Sequence, residues 1–255
     1  MPAKAKPAAK TKLSLEDAMA ALEKAGTAQA RKIYARHGAP EPMFGVSFAD
    51  LKALMKRIGV DHDLALDLWN TGNFDARNLA LKVVDPLAMS ATELDRWASE
   101  DTARSCHAYV AQLAAEGPHG RTRAEAWLVA RSEVKRRFGW HLVGALAMRD
   151  ASVPAEWFTE RLAAIEGDIH KAPNSEREAM NLALIAIGCR DAAMRKAALA
   201  AAKKIGPVTV DHGDTECKTP SATDAIEKAW THAKAKSFES PAAQERGREP
   251  MRTRC

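Results

Sequence analysis

The chain has 255 residues, 46% apolar and 28% charged, which marks a globular rather than a disordered protein. Its formal net charge of +5 is mildly basic, so a polyanionic partner is permitted without being demanded. The four cysteines, Cys106, Cys189, Cys217 and Cys255, show no CxxC pair. No secretory h-region and no apolar run near the ~18 residues of a membrane span occur, so these features predict reduced thiols in a cytoplasmic setting.

In chain order, residues 1–12 are Ala, Lys, Pro and Thr with Met1, a composition that predicts a disordered basic tail. Helical periodicity then begins at Leu15 and repeats over 28–36. Ser47 is placed to cap FADLKALMKRIG, which stops at Gly59. Helical patterns continue through LALDLWN, FDARNLALKVV and SATELDRW, where Ser90 and Glu93 have capping-box spacing. TARSCHAYVAQLAAEG, RTRAEAWLVARS, EVKRRFGWHLVGALAM and PAEWFTERLAAIEG follow. The last major helices are SEREAMNLALIAIG, DAAMRKAALAAAKKIG and SATDAIEKAWTHAKAK. Only PVTVDH (207–212) alternates like a strand, and it is too short to imply a sheet.

Many helices joined by short turns, in pairs of about 30–45 residues, predict an all-α, HEAT-like α-solenoid of stacked antiparallel helix pairs. A plain helix bundle is the alternative. The expected organisation is one helical domain over 13–236, followed by a disordered tail over 237–255. That tail carries four arginines and no apolar period.

The strongest chemical signal is a cation cluster. Arg121, Arg123, Arg131, Lys135, Arg136 and Arg137 face only Glu125 and Glu133 in sequence. Gathered on one edge, they would meet a phosphate backbone, where each contact releases counterions. A solvated face with local ion pairs is the competing reading. Arg137 stands beside Phe138 and four residues before His141, and Trp140 is the tryptophan best placed for a surface contact. Trp97 and Trp157 are expected to be partly exposed, whereas Trp69 and Trp127 sit at core spacing.

The polar stretch 210–222, VDHGDTECKTPSA, offers Asp211, His212, Asp214, Glu216 and Cys217. A zinc site would still need ligands from elsewhere, so a rigid capping loop with Lys218 facing solvent is the expectation, with no metal and no cofactor. Asp101 and His107 are the loose acid–base candidates. No GxSxG, HExxH, P-loop or GxGxxG occurs.

Four stretches together resemble the DNA alkylation repair family, the HEAT-like-repeat alkylpurine DNA glycosylases. They are GVSFADLKALMKRIG (45–59), LALDLWNTGNFDARNLALKVV (64–84), SEVKRRFGWHLVGAL (132–146) and NLALIAIGCRD (181–191), in the family's order. The resemblance implies a concave basic face that holds duplex DNA by its backbone. It also implies hydrolysis of the N-glycosidic bond of N3- or N7-alkylated purines, assisted by a carboxylate and a positioned water. Carried over, the family's helix arginine falls on Arg137. Its Trp-x-x-x-Asp turn falls on Ala103 and His107, with Trp97 and Asp101 at the same spacing one frame earlier. Its later tryptophan falls near Ile187.

The site expectation is therefore Asp101, His107 and Arg137 for chemistry, with Arg121, Arg123, Arg131, Lys135, Arg136, Arg137, Trp140 and Lys218 for DNA. A monomeric, nucleoid-associated DNA glycosylase and a non-catalytic DNA-binding or protein-interaction scaffold both stay open.

Overall fold

The structure, a computed structural model, describes residues 12–100, 104–213 and 215–254, without the side chains of 104–107. The expected basic tail therefore lies outside the described residues but for Lys12, and so does Asp101.

Among the described residues the chain forms fourteen α-helices and no strand. They are α1 (Leu15–Ala25), α2 (Ala28–Arg36), α3 (Phe48–Ile58), α4 (His62–Asn70), α5 (Phe74–Val83), α6 (Ala91–Trp97) and α7 (Arg104–Glu116). The second half comprises α8 (Gly120–Leu128), α9 (Glu133–Arg149), α10 (Ala155–Asp168), α11 (Asn174–Gly188), α12 (Ala192–Ile205), α13 (Ala222–Ala235) and α14 (Pro241–Arg246).

Local chemistry sets the boundaries. Ser47 accepts the Asp50 N–H and Gly59, at φ 78°, ends α3. Ser90 and Glu93 form the expected capping box. In the first turn of α5, the Asp75 carboxylate accepts N–H bonds from Phe44, Gly45 and Val46 at 2.6, 3.0 and 2.9 Å. Three successive amides cradling one carboxylate require a sharp backbone turn. Gly45 supplies it at φ 79°, where a Cβ would lie 2.5 Å from the Thr27 carbonyl.

The odd-numbered helices α3, α5, α7, α9, α11 and α13 pack side by side in one layer. On the other side, α6 packs on α8 and α10 on α12; most links are short, while 37–47 and 206–221 form longer loops. Because consecutive helices reverse direction, the odd helices are parallel. Contacts at both ends agree: Arg136 near the start of α9 binds Glu176 near the start of α11. At the other end, Arg252 joins Leu81 in α5 to Glu116 at the end of α7. The core runs through this layer, and nine of the ten residues of α5 are buried.

Residues 237–254 correct the expectation of a disordered tail. They form α14 and a 3-10 turn at Met251–Thr253, and they strap the C-terminal ends of the odd helices. The Ala242 N–H donates to the Cys189 carbonyl at 3.0 Å. Arg149 donates to the Glu245 and Arg248 carbonyls at 2.9 and 3.3 Å. Arg252, only 5% exposed, grips the Glu116 carboxylate through Nε and Nη2 and donates to the Leu81 carbonyl at 2.6 Å. The buried Lys82 ammonium donates to the Arg252 carbonyl at 2.8 Å. Arg252 thus sits where parallel helices present carbonyls and negative dipole ends.

Breaking a buried ion pair on one side leaves an uncompensated charge, at a cost of about 3–5 kcal/mol. Arg252→Ala is therefore expected to lower Tm by roughly 10 °C in a thermal melt, at about 2–4 °C per kcal/mol for a chain of this size. An unchanged Tm would return residues 237–254 to the status of a solvated extension.

Candidate nucleic-acid interface

Helix α9 starts where Ser132 accepts the Lys135 N–H at 3.4 Å. Gly139 faces α8, since a Cβ there would lie 3.0 Å from the Leu128 nitrogen. At about 100° per residue, Arg137 and His141 stand roughly 160–200° around from that contact, on the face turned away from α8. Arg136 and Trp140 are rotated toward α11 and the gap between α8 and α10. One helix thus sorts adjacent residues onto different surfaces.

The structure divides the sequence-predicted cations into two groups. Arg136 donates to Glu176 through Nε at 3.1 and 3.0 Å. It also donates to the Ala130 and Arg131 carbonyls at 3.0 and 2.9 Å, closing the end of α8. Arg123 is paired with Asp95 of α6 at 2.7 Å, and that carboxylate also accepts the Trp127 indole N–H at 2.6 Å. Both arginines are struts between helices. Arg121 is exposed at the far end of α8, with its Nε 3.8 Å from Glu125. Seven residues of helix, about 10 Å, separate it from the end of α8 that Arg131 follows, so the six cations do not share one edge. Arg131, Lys135 and Lys218 form no salt bridge among the described residues, and Arg131 and Lys218 are exposed.

The aromatics are buried more completely than the sequence suggests. Trp97 is fully buried and stacks on Trp69, with ring centroids 4.0 Å apart. Trp157 is buried, with its indole N–H on Glu125 at 2.9 Å and the Arg161 guanidinium over its ring. Trp140 is 6% exposed and floors a groove beside Arg136 and Met180, away from Arg137. Ile187, near which the resemblance places a tryptophan, is in the core. No stacking platform for a base accompanies Arg137 among these residues. Asp101 and Ala103 lie outside the described residues; His107 is in α7, but its side chain is not described.

Three α11 residues unremarked in the sequence, Asn174, Arg177 and Glu178, meet the 207–221 loop. Asn174 exchanges two hydrogen bonds with the Asp211 backbone, at 2.7 and 2.8 Å. Arg177 donates to the Ile169, Ala172 and Thr209 carbonyls at 3.2, 2.9 and 3.0 Å. His212 bonds Thr219 at 3.0 Å and approaches Glu178 of α11 at 3.7 Å. The loop also meets the end of α2 around a cleft of about 290 Å³ lined by Arg36, His37 and His212. Among the described residues no three His, Cys, Asp or Glu side chains group as a metal site. Ser221, not an Asp or Thr of the loop, caps α13.

His141, partly buried, is held down at about 4, first by desolvation and then by the Arg137 guanidinium. An imidazole with a depressed folded-state pKa is neutral in the native protein. Stability is then full above about 6.5 and is lost as pH falls toward about 4. The His141 ring carbons should titrate with a midpoint near 4 by NMR, and Arg137→Ala should raise it. A midpoint unchanged in that variant would separate the two side chains.

The DNA alkylation repair enzyme family matches residues 18–228. An uncharacterised protein of Listeria innocua is 27% identical over 222 residues, covering 84% of this chain and 95% of its own. One of Listeria monocytogenes is 26% identical over 227 residues, covering 86% and 97%. A solved structure superimposes with a TM-score of 0.80 at 28% identity, covering 89% of this chain and 98% of that one. It is described as a new family of proteins related to the HEAT-like repeat DNA glycosylases with affinity for branched DNA structures. With stacked helix pairs in two layers and a family match over most of its length, this chain belongs to the DNA alkylation repair enzyme family and has its HEAT-like fold.

Proposed function

We propose that this protein binds DNA by its phosphate backbone at the N-terminal edge of the odd-helix layer, and that its preferred form is branched. The carrying observation is the division of the cations. Arg131 and Lys135 stand on that edge without carboxylate partners among the described residues, while Arg123 and Arg136 are used up as struts. Parallel helix N-termini add positive dipole ends there. Arg137 contributes from the face of α9 turned away from α8. The structural neighbour's affinity for branched DNA supports the choice of substrate, and the burial of every candidate stacking tryptophan near Arg137 supports backbone rather than base readout.

A second reading keeps the family's chemistry, hydrolysis of the N-glycosidic bond of an N3- or N7-alkylated purine. It is favoured by the location of Arg137, on the face of α9 turned away from α8, beside a neutral His141. In that reading Arg137 holds phosphate, and Asp101 or His107 stabilises the developing positive sugar. Release of 7-methylguanine from methylated duplex decides it. Release above the spontaneous rate that is lost in Asp101→Asn, with binding retained, establishes catalysis. No release leaves the binding function alone.

For binding, a four-way junction should be held more tightly than a duplex of equal length in a gel-shift titration. Replacing Arg131 and Lys135 together with alanine should lower the slope of log K against log salt by about 2, at roughly 0.9 for each phosphate no longer neutralised. Arg123→Ala should instead lower Tm and leave that slope unchanged. If the double variant binds like the parent protein, the interface lies elsewhere.

A further inference from the structure

A second cleft, of about 320 Å³, lies between the middle of α11, the end of α12 and the start of α13. Its size falls at the lower end of small-ligand sites, about 300–1,000 Å³. Three features converge there. The first is Asn181, 1% exposed, which lines the cleft. Its amide nitrogen donates to the Pro220 carbonyl at 3.0 Å, and its Oδ1 has no hydrogen-bond partner among the described residues. The amide orientation is fixed, because the reverse would oppose two acceptors. A buried acceptor without a donor is rare and asks for one.

The second feature is the start of α13, a helix of 14 residues. Ser221 caps it by accepting the Asp224 N–H at 3.3 Å, leaving its own hydroxyl hydrogen free to donate. The third is Lys203, exposed on the rim and without a salt bridge among the described residues, whereas its neighbour Lys204 is held by Glu166 at 3.0 Å. Thr219 and Thr223 complete the polar wall, with Thr219 bonded to His212 at 3.0 Å. The exposed Asp224 carboxylate, in the first turn of α13, is the opposing charge.

A helix N-terminus, an ammonium and two hydroxyls call for an anion, while the Asn181 Oδ1 calls for a hydroxyl or amino donor on the same ligand. We infer that this cleft binds a nucleoside monophosphate unit, with its phosphate against the start of α13 and Lys203 and a sugar hydroxyl or base amino group on Asn181. The unit is either a free nucleotide or the phosphorylated end of a DNA strand. The inference stands apart from backbone binding at the odd-helix edge, since a free nucleotide would satisfy the cleft on its own.

The test is calorimetry on the full chain with dAMP, inorganic phosphate and deoxyadenosine as separate probes. The expected result is that dAMP binds at least about tenfold more tightly than either part alone. Lys203→Glu should weaken dAMP at least about tenfold with an unchanged Tm, and Asn181→Leu should reduce dAMP to the level of inorganic phosphate. If Asn181→Leu does not fold, Thr223→Val, at an exposed position, takes its place and should also weaken dAMP. An oligonucleotide with a 5′-phosphate, compared with the same strand bearing a 5′-hydroxyl, identifies the source. Tighter binding of the phosphorylated strand assigns the cleft to strand ends, and equal binding assigns it to free nucleotide. Absence of dAMP binding, dAMP binding unaffected by Lys203→Glu, or inorganic phosphate binding as tightly as dAMP overturns the proposal.

Discussion

Consecutive helices that alternate between two layers leave the helices of each layer parallel, and parallel helices align their dipoles. In this protein α5, α7, α9 and α11 all end at one edge and all begin at the other. Side-by-side parallel dipoles repel, so each edge needs charge of opposite sign. The C-terminal edge obtains it from Lys82, Arg149 and Arg252, all bonded to backbone carbonyls there. The N-terminal edge obtains it from Asp75, Glu133 and Glu176 in the first turns of α5, α9 and α11. Those acids are themselves engaged, Asp75 by three amides, Glu133 by the Ser175 hydroxyl and Glu176 by Arg136. The positive character of that edge is therefore reduced but not cancelled.

The same geometry explains why adjacent cations have different roles. Arg136 and Arg137 are neighbours in sequence and about 100° apart around α9. One turns toward α11 and becomes a strut; the other turns to the face opposite α8. Trp140 follows Arg136 by one helical turn and so joins it in the groove beside Met180, not Arg137. The proposed interface would contact a strand through charges and helix ends. Such contacts fix register and affinity but carry little base information. Recognition of a branch requires no more, because a junction presents backbones at angles and spacings that a single duplex lacks.

Helix positions were legible in the sequence because their determinants are local. Ser47 with Gly59, and Ser90 with Glu93, lie within a turn of the bonds they make. The strap over 237–254 was not legible, since Arg252 meets Glu116 and Leu81 across 136 and 171 residues of chain. A six-residue helix with mixed charge has no periodicity to announce it. Sorting the cations failed for a related reason. Their partners lie 28 and 40 residues away, Asp95 for Arg123 and Glu176 for Arg136, and sequence proximity showed only Glu125 and Glu133. Asn181 looked like an ordinary helical residue, because its missing partner is a property of the cleft.

The strap also changes what the net charge of +5 means. Read from sequence, the four tail arginines form a loose cationic arm able to tether a polyanion. In the fold, Arg252 is consumed by Glu116 and Arg254 by Glu245, at 2.9 and 2.5 Å, while Arg246 and Arg248 face solvent. Half of the arm is therefore neutralised at the C-terminal edge, where its charge offsets helix dipoles instead of phosphates. Arg131 and Lys135, by contrast, keep their charge at the opposite edge. The proposed backbone contact therefore draws on Arg131 and Lys135, beside the helix N-termini, and owes nothing to Arg252 and Arg254 of the tail.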